Sequence, residues 1–161
     1  MTPLDLKTKE EWEEILDRFA RDAKMTACLT DETGKQLICA SERFPLCGAI
    51  RENHDALTFI CSQTNTAMLA VVKQTLRPEV DACEAGLIRV AIPIFRDGSL
   101  VGQVTACGLA SNDEELNSFL VSKQSGIPEE EVLKLAESTP LGSEEELRHA
   151  SARLFDELSV G

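Results

Sequence analysis

The sequence has only two histidines, His54 and His149, no two cysteines separated by just two residues, and no long apolar run. Each shortage excludes something. A lone histidine beside "REN" and another in the polar part of the last helical segment read as a cap and a solvated side chain, and neither completes a hydrolytic triad. "GxSxG" is missing too, and the serines sit in polar or cap-like contexts. Without a C-x-x-C pair, the thioredoxin-like redox motif and the zinc-ribbon knuckle are both ruled out. No "GxGxxG" or "GKS/GKT" occurs, so nucleotide chemistry has no support. The longest apolar stretches, near Ala67 to Val72 and Leu87 to Phe95, are too short to span a bilayer.

Basic residues are also scarce. Sixteen Lys and Arg stand against 28 Asp and Glu, a formal charge of −12. That balance opposes the counterion release that drives nucleic-acid binding, and it disfavours anionic membranes. Neither nucleic acid nor membrane is expected as a partner. The opening "MTPLDLKTKEEWEEI" lacks a basic end followed by an apolar run, so a cytoplasmic protein is expected, with its cysteines as free thiols.

What is present is a soluble, foldable composition: 43% hydrophobic and 27% charged residues over 161 positions, the size of one domain spanning residues 1–161. "TKEEWEEILDRFA" opens with a capping box, Thr8 and Glu11, and places Trp12, Ile15, Leu16, Phe19 and Ala20 on one helical face. That face either covers a sheet or meets a second copy of the chain, forming a homodimer through the N-terminal helix. "MTACLT" and "KQLICA" around "DETG" read as a β-hairpin. Pro45 starts a short helix, "PLCGAIREN". A longer helix runs from about Asp55 to Leu76, with Leu57, Ile60, Cys61, Thr64, Met68, Val71 and Val72 in one stripe.

A short strand around Val80 to Glu84 leads to a second hairpin. In it Ile88, Val90, Ile92 and Ile94 alternate with Arg89, Ala91, Pro93 and Phe95, and Asp97 and Gly98 make the turn. The last third is helical. It starts near Asn112 with Leu116, Phe119 and Leu120 facing inward, restarts at Pro128, and closes with a helix capped by Ser143 and Glu146. Hairpins separated by helices give an α+β fold: an antiparallel sheet of about five strands with flanking helices and a helical C-terminal third.

Six cysteines, Cys28, Cys39, Cys47, Cys61, Cys83 and Cys107, are many for this length. Cys28 and Cys39, inside the first hairpin, suit core packing, since free cysteine packs as a small hydrophobe. The other four lie on separate elements. If they converge they suit a cysteine-ligated iron-sulfur cluster or zinc; if they are dispersed they are packing.

The stretch "CEAGLIRVAIPIFRDGSLVGQVTACGL" resembles the PocR-type sensory domain: C-x-A-G-L, a strand ending in "PI", a turn, and a glycine on the returning strand. "PLCGAIREN" and "FICSQTNTAML" resemble the helix-borne cysteine segments of the same family. The likeness covers roughly Pro45 to Leu109. It implies a PAS/GAF-like fold that senses small organic molecules such as diols and other simple hydrocarbon derivatives, in the manner of a bacterial-type regulator. Carried over by position, Cys47, Cys61, Cys83, Gly86, Leu87 and, less directly, Cys107 would line the ligand site, in a concave apolar pocket where helices cover one face of a curved sheet. The family passes its signal to an output domain. The sequence contains none, so a separate output protein is expected to read the result.

Two other readings compete. A thiol-dependent redox enzyme on a GAF-like fold needs an exposed cysteine of lowered pKa near a resolving partner. An interaction module needs no ligand at all.

Overall fold

A computed structural model describes residues 1–39, 43–112 and 114–159. Its helix α1 (Lys9–Ala23) is closed at its N-terminus by the capping box: Thr8 Oγ1 accepts from the Glu11 N–H, and Glu11 Oε1 accepts from the Thr8 N–H. β1 (Thr26–Asp31) and β2 (Gln36–Cys39) form the first hairpin. α2 (Pro45–Glu52) follows. Then α3 (His54–Ala56), a π-helical stretch Leu57–Ser62 and α4 (Gln63–Thr75) run on as one interrupted helix. β3 (Glu79–Ala82), β4 (Ile88–Arg96) and β5 (Ser99–Leu109) complete an antiparallel sheet in the order β2-β1-β5-β4-β3. α5 (Ser118–Ser125), α6 (Glu129–Ala136) and α7 (Glu144–Ser159) end the chain. The fold is α+β with five strands, as expected. Among the described residues no helix is long and apolar enough to cross a membrane.

The sheet is covered on both faces by the flanking helices. Against one face, α1 and α7 bury Trp12, Leu16, Phe19, Leu147, Leu154 and Leu158 on Ala27, Leu29, Val90, Ile92, Val104 and Ala106. Trp12 is fully buried, and its indole N–H donates to the Pro3 carbonyl at 2.7 Å. Trp12 and Phe19 therefore cover the sheet, and neither is left for a second copy. On the other side a smaller core joins Leu46, Ile50, Ala56, Ile60, Val121 and Val132 from α2, α3, the π stretch, α5 and α6 with Leu87 from the turn before β4. Pro93 sits in β4 beyond the residues that pair with β3, so its missing N–H costs no ladder bond on that side.

Two local expectations shift. The helix expected from Asn112 starts at Ser118, where Asn117 Oδ1 caps the Leu120 N–H, and Phe119 is 67% exposed rather than inward. Val121 is the residue of that helix that packs into the core, because the cap sits five positions later and rotates the face. In the stripe of α4, Val71 is exposed, while Met68 and Val72 pack on Ala91.

Candidate functional site

The cysteines separate into two groups. Cys28 and Cys39, directly opposed in the β1–β2 register, are joined as a disulfide, which corrects the expectation of six free thiols. Cys47, Cys61, Cys83 and Cys107 are free, and together they line one small cavity with Ile50, Arg51, Ile60, Leu87, Arg89 and Gly108. Its volume is about 20 Å³, roughly the room of one water molecule. The four segments do come together.

Three departures from regular backbone bring them there. Cys61 lies in the π stretch, whose wider turn shifts side chains relative to an α-helix; such insertions recur at functional sites. Cys107 precedes a bulge: Ile88 pairs with Leu109 and Arg89 with Cys107, which leaves Gly108 as the extra residue at φ +94°. The bulge resets the alternation of β5. Val104 and Ala106 face the α1/α7 core, Cys107 faces the opposite side, and Leu109 returns to that core. A side chain at Gly108 would press on Phe44, 3.1 Å from Cδ2, with Cys47 Sγ at 3.5 Å.

Cys83 is held by a tight turn in which its N–H donates to the Leu87 carbonyl at 2.8 Å and the Gly86 N–H donates to the Cys83 carbonyl at 2.9 Å. Gly86 takes φ +88°, and a Cβ there would lie 2.1 Å from the Glu115 carbonyl oxygen. Gly86 thus shapes the turn and stands outside the cavity lining, whereas Leu87 is in it.

Burial pushes the Cys47, Cys61 and Cys83 thiols above the ordinary range, because a thiolate in this apolar setting loses its hydration. For Cys47, a negative charge on Cys107, Cys83 or Cys61 would push it further. These three are neutral thiols at physiological pH, the opposite of the lowered pKa that a thiol-dependent redox enzyme requires. Among the described residues, no group of three or more His, Cys, Asp or Glu side chains is arranged to hold a metal ion. The iron-sulfur or zinc reading of Cys47, Cys61, Cys83 and Cys107 therefore gains no support from their placement.

A larger cleft of about 310 Å³ lies beside the thiol cavity and shares Arg51, Arg89 and Cys107 with it. Its floor is the sheet face turned away from α1 and α7, where Thr26, Cys28, Thr30, Gln103, Thr105 and Cys107 alternate with core residues. Ser62, Asn65, Thr66 and Leu69 form the helical wall, and Arg43, Arg51 and Arg89 reach in. Arg43 Nη1 donates to Cys107 Sγ at 3.1 Å, and its Nη2 donates to Gln36 Oε1 at 3.3 Å. Arg89 Nη2 donates to Asn65 Oδ1. Arg89 and Gln103 are only 6% and 4% exposed, yet Arg89 Nε and Gln103 Oε1 have no hydrogen-bond partner among the described residues.

The arginines and the polar sheet floor were not among the expected site residues. A signal for the floor existed: in "GQVTACG" polar residues take alternate positions in an apolar strand, so the second face of β5 is polar. The cleft is accordingly polar, whereas the small cavity lined by the four thiols and Leu87 is largely apolar.

No curated protein is significantly similar to the chain. A family model described as the sensory domain found in PocR matches residues 5–159, from the turn before α1 to the end of α7. The match takes in both cores, the converging thiol segments and the polar cleft, and the chain belongs to the PocR sensory-domain family.

Proposed function

We propose that this sensory domain takes a small organic molecule, a hydrocarbon derivative bearing polar substituents, into the cleft between the polar sheet face and the π stretch with α4. Cys47, Cys61, Cys83 and Cys107, with Leu87, form the deep end, where the walls are thiol and aliphatic. Gly86 serves the site by shaping the turn that presents Cys83 and Leu87. Occupancy is the signal, relayed to a separate output protein.

One observation carries this reading: two buried polar groups on the cleft wall, Arg89 Nε and Gln103 Oε1, are left without partners among the described residues. Each such group costs about 1–3 kcal/mol in a folded protein. A ligand that supplies an acceptor to one and a donor to the other removes that cost, which ties binding to stability. The same pairing would orient the ligand with its polar end on the sheet and its carbon skeleton toward the thiols.

Thermal-shift screening against short alcohols, diols, aldehydes and carboxylates tests it. A ligand bound by the folded state alone raises Tm with concentration. A chain whose Tm is unmoved by every member of such a panel has no ligand of this class.

A further inference from the structure

The lining of the cleft narrows the ligand class, and this step rests on the ligand-binding reading above. The described residues around it include three arginines and no Asp or Glu, in a chain that carries 28 acidic residues against 16 basic ones. Among the described residues no salt bridge involves Arg43, Arg51 or Arg89. Elsewhere Arg18 pairs with Glu157 and Arg148 with Glu144, each at 2.7 Å; what sets the cleft apart is that three arginines are gathered on one lining with no acid among its described residues. Here three positive charges face one hollow without a counter-charge among the described residues of its walls.

Arg89 is the sharpest case. A buried guanidinium is unfavourable unless it is paired, and among the described residues its hydrogen bond goes to a neutral amide, that of Asn65. Planar guanidinium forks match carboxylate oxygens in pairs, which makes a carboxylate the fitting group. Gln103 Oε1 on the same floor is an acceptor without a donor, and a hydroxyl on the ligand supplies one. We propose that the cleft binds a small hydroxylated carboxylate, with its carboxylate held by Arg89, Arg51 and Arg43 and its hydroxyl directed to Gln103.

Two matched pairs of probes test this on the full chain: L-malate against butane-1,2,4-triol, and L-lactate against propane-1,2-diol. Within each pair the carbon skeleton is the same and only the carboxylates are reduced. Calorimetric titration is expected to give saturable binding of at least one acid and none of its alcohol. A Tm rise of roughly 5–10 °C is expected at hundred-fold excess over Kd. Added salt should weaken binding, since the attraction is between charges.

Arg51→Gln and Arg43→Gln, both of partly exposed residues, should each weaken binding roughly ten- to hundred-fold. Arg18→Gln, on the far side of the sheet, should leave it unchanged. Should the alcohols bind and the acids fail, the anion assignment falls while the sensor reading stands. Failure of all four probes and of the wider panel would remove both. Inorganic phosphate binding as tightly as the acids would overturn the carboxylate assignment, and unaltered affinity in both cleft variants would overturn its location.

Discussion

The two faces of the one sheet are built for different tasks. Toward α1 and α7 the strands present Ala27, Leu29, Val90, Ile92, Val104 and Ala106, and the helices pack Trp12, Leu16, Phe19 and Leu154 onto them. Toward α4 the same strands present Thr26, Cys28, Thr30, Gln103, Thr105 and Arg89, and a cleft of about 310 Å³ remains. The first face supplies stability through apolar burial, which is nondirectional and additive. The second gives some of that stability up by leaving Arg89 Nε and Gln103 Oε1 without partners among the described residues, the groups that the proposed ligand would match. A sheet can do both because its side chains alternate, so one strand serves two independent environments.

This contrast can be broken or sharpened by experiment. The largest effect is expected from Trp12→Ala, which empties the packed face. Urea denaturation followed by circular dichroism should show a loss of about 3–5 kcal/mol, with ligand affinity of the surviving folded protein unchanged. Next is Gly108→Ala, which places a side chain at φ +94° against Phe44. It should cost about 1–3 kcal/mol and, by disturbing the bulge, alter the reactivity of Cys107 and Cys47 toward alkylating reagents.

Gln103→Leu should act in the opposite sense. Removing an unpartnered buried acceptor is expected to stabilise the protein by about 1 kcal/mol while weakening ligand binding. A destabilised Gln103→Leu protein would show that the polar floor supports the fold and would erase the contrast between the faces.

The mildest effect concerns pH. The Cys47, Cys61 and Cys83 thiols are raised by burial, so above the ordinary thiol pKa of about 8.5 the unfolded chain holds fewer protons than the native one. Stability should therefore fall as pH rises from about 8 toward 10, and native thiols should alkylate more slowly than the same thiols in urea. Thiols that react equally fast in both states would show that they are not shielded.

Much of the scaffold was legible in the order of residues. Thr8 with Glu11, Asp97-Gly98 and Pro128 mark boundaries by local chemistry that needs no tertiary partner, and the alternation of β4 identified its core face. Helix α5 was misplaced because Asn112 and Asn117 are equally good caps in isolation, and only packing of Val121 against the smaller core selects the second. The convergence of Cys47, Cys61, Cys83 and Cys107 depends on which elements become neighbours, and spacing along the chain does not decide that. Arg51 and Arg89 went unnoticed because a single arginine in a helix or strand has no periodic signature.

The chain of amino acids fixed, by its own local physics, the caps, the turns, the α+β class and the apolar face of each element. The grouping of four distant thiols, the disulfide between Cys28 and Cys39, and the gathering of three guanidiniums around one hollow were decided in three dimensions. The reason is that local structure depends on contacts a few residues apart, which a sequence displays directly. A site depends instead on which elements become neighbours, and here a π stretch, a glycine bulge and a tight turn set the final direction of each side chain.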